Sequence, residues 1–567
     1  MSGLRRIISN TLISLFGQFV TWTSTLILTI GYGRFLGDVR LGELFLAITF
    51  VALVGTPIGD GFNQQLTRDI AEDPEKSHAY LWNTLLIKTT LWVLLYGLIL
   101  FLGWALGYDQ EQWSLIAICG ITLLSSSIIG TFASVHYAFE RTLFPTVGMI
   151  LEKGLSACVG FILLKMGASV QTMAFVLLGG SVVDAVWVAW WFFRLTGWHV
   201  VIQKAVIRKL LRTSIPFLVY AVLGVIYYRI DTVLLSLMDN AAVVGWYGAG
   251  YRLFDTLLFI PNLILGVVMY PVFSKLSSVE SQSTLKMAVE KCMNLILICA
   301  LPIATLLIFA APNIIGFLYH SKDFDNTIPV LQALAPGLIF LYINTVLFSV
   351  IVSTKGEKRI PLMAGAALVF NLSLNLFLIP RYQQVGAAVV TSLTELLLLC
   401  ISVVLMPKHL LPRGSFKVGV KTLIAALFMA LATFLLKTSS ILLISPIVFL
   451  VYAGVATLLR TIPREDVQIL YKAVRDKGKR TSTETLADMM DENMYTQITE
   501  RLPAVRLKKI QSRVGVQLEE EVDDEITERL PAVRPRRIQS KAGVQLEEEV
   551  DDEITERLPA VRVRKIQ

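Results

Sequence analysis

Runs of roughly twenty predominantly apolar residues recur from residue 11 to Leu459, and a bilayer core about 30 Å thick needs that many residues for each helical crossing. Within hydrocarbon every backbone amide must find an internal partner, which leaves helices or a closed barrel. Barrel strands would read as short alternating segments, and no such pattern is present. Charge agrees: 17% of the 567 residues are charged, where soluble chains carry roughly a quarter, and much of that charge lies beyond Thr461. The expectation is an all-α integral membrane protein of about fourteen transmembrane helices. The spans fall near 11–31, 41–59, 81–106, 113–137, 145–165, 170–194, 214–237, 243–272, 287–310, 327–353, 360–379, 385–406, 418–437 and 439–460.

The first span follows a short basic start (Met1 to Arg6) and runs on to about Gly31 without a small-residue cleavage site. It reads as a membrane helix rather than a cleaved leader. Lys and Arg gather in alternate loops, Arg194 to Arg212, Lys355 to Arg359 and Lys408 to Lys421, while the opposite loops are very short. The positive-inside rule then places both termini in the cytoplasm. The net charge of +8 becomes an orientation signal, and a nucleic-acid partner is not expected.

Other chemistries are missing from the pattern. The five cysteines lie in apolar helices with no C-x-x-C pair, and the five histidines are scattered, so no metal site is expected. No G-x-x-x-x-G-K-[ST] loop is present to cradle ATP phosphates, and no cofactor is expected. A membrane glycosyltransferase or glycan polymerase would need an acidic motif or a domain in an external loop, and those loops are too short.

Two internal matches suggest duplicated halves. Gly42-Glu-Leu leads to Pro57 as Gly245-Trp-Tyr leads to Pro261, and Ser134-Val135 leads to Pro145 as Ser349-Val350 leads to Pro361. Both matches are six helices apart, and repeats of this kind put substrate sites between two lobes. The expected divisions are a six-helix lobe (1–194), a basic linker (195–213), a second six-helix lobe (214–406), two further helices (407–460), a juxtamembrane helix (461–480) and a tail (481–567). In the tail, Ile498-Thr-Glu-Arg-Leu-Pro-Ala-Val-Arg recurs from Ile526 and Ile554, a period of 28 residues. Pro503, Pro531 and Pro559 would break a continuous helix, and the polar composition predicts disorder.

Several stretches carry a family resemblance. They are Gly33-Arg-Phe-Leu-Gly, Gly42-Glu-Leu and Gly59-Asp-Gly-Phe-Asn-Gln-Gln-Leu-Thr-Arg68-Asp-Ile-Ala. Further on come Tyr228-Arg229-Ile-Asp231-Thr-Val-Leu-Leu, Val244-Gly-Trp-Tyr-Gly-Ala-Gly-Tyr-Arg252 and Pro271-Val-Phe-Ser-Lys. The last are Asn371-Leu-Ser-Leu-Asn375-Leu-Phe-Leu-Ile-Pro380 and Val385-Gly-Ala-Ala-Val-Val-Thr391. In order and spacing, over residues 1 to about 460, they resemble bacterial polysaccharide flippases of the O-antigen type. That resemblance implies a V-shaped, MATE-like fold of two six-helix lobes with two extra helices, in a bacterial cytoplasmic membrane. It also implies alternating access for a lipid-linked oligosaccharide, working beside polysaccharide-assembly proteins. A cation-coupled small-molecule exporter and a lipid II flippase are rivals on the same fold. An inactive scaffold displaying the tail is a further one, and deleting residues 480–567 would discriminate it.

Intramembrane charges usually face the interior, a partner or water, so they are the candidate site residues. Arg229 and Asp231 on helix 7, and Arg252 and Asp255 on helix 8, fall at similar depth on antiparallel neighbours. Cross-pairing is therefore easy, either as a plain ion-pair cluster or with an Arg turned to a lipid pyrophosphate. Gln64 and Arg68 near the cytoplasmic edge, and Asn344 in the second lobe, are further substrate-path candidates, a solvated helix end being the plain alternative for the first two. Lys88, Glu152, Lys153 and Asp184 in the first lobe, with Glu395 in the second, are coupling or gating candidates. Adjacent Glu152 and Lys153 point about 100° apart, so each needs its own partner, and one arrangement joins Lys88 to Glu152 and Lys153 to Asp184. Thr499, Thr527 and Thr555 each precede Leu by three residues, resembling targets of phosphothreonine-reading forkhead-associated domains; a duplicated spacer explains the same pattern.

Overall fold

The computed structural model describes residues 2–265, 282–354, 359–436 and 440–461. The expected juxtamembrane helix, the repeated tail and Thr499, Thr527 and Thr555 lie outside the described residues. Among the described residues there is no strand. Fourteen α-helices follow in order: α1 (Ser2–Gly55), α2 (Asp60–Glu72), α3 (Ser77–Ala105), α4 (Gln110–Ala138), α5 (Leu143–Lys165), α6 (Val170–Thr196), α7 (Lys204–Met238), α8 (Ala241–Leu257), α9 (Gln282–Phe309), α10 (Ala311–Tyr319), α11 (Thr327–Ser353), α12 (Ile360–Leu405), α13 (Ser415–Leu435) and α14 (Ile441–Leu458).

Two of these are hairpins written as single helices. Inside α1 the backbone leaves helical geometry at Gly37 (φ 84°, ψ 179°), and inside α12 at Gln383 (φ 48°, ψ −128°). Gly31 packs on Leu164 and Gly17 on Thr146, so the first half of α1 runs alongside and parallel to α5. Gln112 donates to the Glu43 carbonyl and Gly55 packs on Leu123, so the second half follows α4, and α2 continues along it where Thr67 donates to the Ser134 carbonyl. Consecutive α4 and α5 are antiparallel, and the two halves of α1 must be as well. In α12, Asn371 donates to Thr394 Oγ1 at 3.3 Å across the same kind of reversal. A positive φ costs little at Gly37, which lacks a Cβ.

Among the described residues, ten stretches are long and apolar enough to cross a membrane. Counting α1 and α12 twice, and adding α7 and α8 with their four central charges, accounts for the fourteen expected spans. The second crossing stops at Gly55, where a short 3₁₀ turn through Pro57 redirects the chain into α2. Side chains such as Leu450 (72% exposed) and Leu458 (81% exposed) form the rim of α14, an apolar surface suited to lipid.

The lobes meet along α1 and α8. A methyl group on Gly42 would lie 1.9 Å from the Ala241 carbonyl oxygen, and one on Gly245 would lie 2.0 Å from that of Asp38. The contact is reciprocal, because Asp38 precedes Gly42 by the same four residues as Ala241 precedes Gly245. Two positions matched in the internal repeat therefore pack on each other, as a pseudo-two-fold axis requires. Trp246 Nε1 donates to Asp38 Oδ2 at 2.9 Å at this end. At the other end Phe19 and Trp22 meet Phe259 with ring centroids 5.4 and 5.5 Å apart.

Between the lobes, residues 197–203 form no regular element and α7 begins at Lys204, so the second half of the expected linker is the start of α7. Its opening turns hold to the first lobe. Lys209 Nζ donates to Asp69 Oδ1 at 3.1 Å and Tyr80 Oη at 2.9 Å, and the Tyr80 hydroxyl together with Asp69 raises the lysine's pKa against the opposing effect of burial.

Candidate functional site

The four central charges form one cross-helix pair and two separately placed groups. Arg229 Nη2 sits 2.9 Å from Asp255 Oδ2, joining α7 to α8. Tyr228 Oη donates to the other Asp255 oxygen at 2.7 Å, and the Arg229 guanidinium lies 5.1 and 5.2 Å from the ring centres of Tyr228 and Tyr251. Asp255 is thus fully engaged inside its own lobe. Asp231 is closed off differently: it accepts from the Tyr247 hydroxyl, from Thr232 N at 2.7 Å and from Thr391 Oγ1 at 3.3 Å.

Arg252 is left over. It makes no ion pair among the described residues, and its one hydrogen bond runs across the lobe boundary, from Nε to Thr29 Oγ1 at 3.4 Å. Eleven residues from the start of α8, it lies roughly 16 Å along the helix, near the centre of a bilayer about 30 Å thick. On α1 the facing positions are polar. Thr25 and Thr29 sit one helical turn apart, and Tyr32 beyond them has a buried hydroxyl with no partner among the described residues. A guanidinium at mid-depth, opposite hydroxyls and without a carboxylate of its own, can receive an anionic oxygen.

A narrow cleft elsewhere in the second lobe is lined by Tyr227, Asp231, Asn371, Thr391, Thr394 and Glu395, among others. Glu395 is 3% exposed. Asn344 Nδ2 donates to both its Oε2 and its backbone oxygen at 2.9 Å. Asn344 therefore holds Glu395 rather than lining an open path.

In the first lobe Lys88 stands apart, while Glu152 and Lys153 lie within electrostatic reach of Asp184. Lys88, fully buried, donates to Asn63 Oδ1 at 2.6 Å. Lys153 Nζ sits 2.5 Å from Glu152 Oε1 of the adjacent residue, so these neighbours do share a bond despite their 100° offset, because a four-carbon stem can fold back. The arrangement that joins Lys153 to Asp184 is not formed. Asp184 is fully buried between α5 and α6, and neither carboxylate oxygen has a hydrogen-bond partner among the described residues. Gly148 opposite makes the room, for a methyl there would lie 2.0 Å from Asp184 Oδ1. Gln64 is exposed on α2, and Arg68 pairs with Glu72 at 3.1 Å with both side chains largely solvated.

Sequence reasoning missed the hydroxyl partners. Tyr247 and Tyr251, one turn apart on α8, share the face that meets α7, a spacing that places side chains together. Thr29 and Thr391 carry no signal that separates them from other helical threonines.

The polysaccharide biosynthesis protein family matches residues 7–277, covering the first lobe and the opening helices of the second. The structure aligns with that of the lipid II flippase MurJ at a TM-score of 0.67 and 18% identity, over 81% of this chain and 99% of that one. The fold is MATE-like. A multidrug resistance transporter of the MATE family aligns at a TM-score of 0.57 and 14% identity, over 70% of this chain and 97% of that one. By sequence, an uncharacterized membrane protein of Methanocaldococcus jannaschii is 28% identical over 32% of this chain and 37% of its own length. The chain thus matches little more than a third of that relative. The probable low-salt glycan biosynthesis flippase Agl15 of Haloferax volcanii is 21% identical over 64% of this chain and 75% of its own length. The family match covers just under half of the chain, and the fold, that of a multi-pass membrane protein, is shared by a lipid II flippase and a multidrug transporter.

Proposed function

We propose that the protein flips a lipid-linked oligosaccharide, of the undecaprenyl type, from the cytoplasmic to the outer leaflet of a cell membrane by alternating access between its lobes. One observation carries the reading: Arg252 stands at mid-depth on the lobe boundary, while the nearby carboxylates are engaged by other partners. A lipid diphosphate supplies the anion that this cation lacks, and bidentate contacts from guanidinium to phosphate are short and strong. The Thr29 hydroxyl bonds Arg252 and the Tyr32 hydroxyl lies near it, and both suit a polar headgroup. The lipid tail stays in the bilayer throughout. Both relatives found by sequence are archaeal, so the cargo is defined by its chemistry rather than by the bacterial O-antigen. Asp184 and Glu395, buried carboxylates in opposite lobes, are the groups proposed to carry a coupling ion, and polysaccharide-assembly proteins are the proposed neighbours. Cytoplasmic termini follow from the loop charges.

The test is transbilayer labelling of lipid-linked glycans in membranes with and without the protein. Glycan trapped on the cytoplasmic leaflet after depletion and released on re-expression supports the reading. Unchanged sidedness together with lost efflux of small cations would replace it with an exporter on the same fold.

A further inference from the structure

The segment that joins the lobes carries charge that is largely unpaired among the described residues. From the residue after Asp184 to the residue before Asp231 the chain contains no Asp or Glu, yet Arg194, Lys204, Arg208, Lys209 and Arg212 lie close together there. Lys209 has Asp69. The other four are exposed and make no ion pair among the described residues, Arg194 resting instead over the Trp191 ring at 5.2 Å.

The same segment exposes large apolar side chains. Trp198 is 65% exposed, Val200 54% and Ile202 61%, at alternate positions of the connection 197–203. Their backbone is tied down on the first lobe. Trp82 Nε1 donates to the His199 carbonyl at 2.8 Å, Asn83 Nδ2 to that of Val201 at 3.1 Å, and Gln203 N to Asn83 Oδ1 at 3.0 Å. What faces outward is a fixed row of apolar side chains followed by a row of cations. In water such a row would be a site of association. At the end of two membrane helices it matches the composition of an interfacial anchor, apolar and aromatic groups toward the acyl boundary and Lys or Arg toward the headgroups.

We infer that residues 194–212 form a docking surface for the anionic phospholipid headgroups of the adjacent leaflet. Trp198, Val200 and Ile202 seat at the acyl boundary, and Lys204, Arg208 and Arg212 meet headgroup phosphates. The surface is distant in sequence and role from Arg252, and it stands whatever the cargo is. The segment is pinned to the first lobe and continuous with α7, whose later turns bond α8 and α12. Bound lipid therefore touches the one covalent connection between the lobes.

The full chain, reconstituted in phosphatidylcholine bilayers doped with spin-labelled phosphatidylglycerol or spin-labelled phosphatidylcholine, reports lipid selectivity as the immobilised fraction of each label. A cation near an anionic surface is worth about fivefold in association, and three give a ceiling of about 100-fold. The expected result is clear selection of phosphatidylglycerol, falling roughly tenfold in K204Q/R208Q/R212Q. The single variants R208Q and R212Q should lose part of it, so that the inference is tested even if the triple variant fails to fold. Equal binding of both lipids by the unaltered protein, as an acidic protein partner for this surface would give, overturns the inference. So does selectivity that the folded variants leave unchanged.

Discussion

Replacing Arg252 with Gln should slow flipping without loosening the fold, and replacing Arg229 with Gln should loosen the fold first. The contrast follows from what each guanidinium touches. Arg229 is bonded to Asp255 at 2.9 Å, with side chains 20% and 14% exposed. Removing one partner of a buried pair costs about 3–5 kcal/mol; partial exposure and the remaining bond from Tyr228 reduce this to roughly 2–3 kcal/mol. Arg252 gives up a single long bond to a neutral hydroxyl at 3.4 Å, worth under about 1 kcal/mol. Toward a diphosphate the balance reverses, since a hydrogen bond to a charged group is worth about 1.5–3 kcal/mol. At about 1.4 kcal/mol per tenfold, flipping by R252Q should fall roughly 10–100-fold. R252K, which keeps the charge and loses the fork, should lie between. The assay is quencher access to a fluorescent lipid-linked glycan in proteoliposomes, with thermal melting measured on the same preparations. Wild-type flipping by R252Q would refute the reasoning, as would a melting loss equal to that of R229Q.

Three further outcomes are expected. In G42V the added side chain cannot fit 1.9 Å from the Ala241 carbonyl, so the seam parts there; external labelling of a T29C cysteine by an impermeant maleimide should rise, and unchanged labelling would remove the seam from the argument. N344L strips Glu395 of two 2.9 Å bonds and should cost about 1–3 kcal/mol in melting experiments, more than E395Q, which stays neutral and still accepts from Asn344; the reverse order would count against a charged Glu395. G148A drives a methyl onto Asp184 and should lower folded yield, with G148A/D184A recovering part of it; a purely additive double-mutant cycle would show that the two sites are uncoupled.

The fourteen spans were legible because hydrocarbon leaves the backbone no alternative to helices, and twenty apolar residues are hard to disguise. Both reversals fall in breaks between expected spans, 32–40 and 380–384, but the residue that turns the chain was not legible, and at Gln383 it is a non-glycine residue at positive φ. Counting rise per residue brought Arg229 to the level of Asp255, and the bond exists. The same counting put Arg252 there too, and depth alone cannot show that Tyr228 fills the second oxygen of Asp255. Glu152 and Lys153 show the limit of direction arguments, for Cβ vectors 100° apart do not fix where a long ammonium ends. Asp231 was predicted as a path residue because a carboxylate in a membrane looks functional. The hydroxyls of Tyr247 and Thr391 that enclose it come from residue types common in any helix.

The α1–α8 seam explains why a weak bond at Arg252 suits a transporter. One end is closed by backbone packed against backbone at Gly42 and Gly245, with Trp246 bonded to Asp38, and the other by aromatic edges at Phe19, Trp22 and Phe259. At the centre the cross-lobe bond from Arg252 is the long one to Thr29. A phosphate arriving there competes with a neutral hydroxyl at 3.4 Å rather than with a carboxylate, so the lobes can yield it to cargo at little cost. A carboxylate in place of Thr29 reverses that balance: T29D would satisfy Arg252 internally, strengthen the seam and exclude the anion. Its melting temperature should rise while flipping falls, and a T29D protein that flips normally would mean that the cargo's charge is met elsewhere.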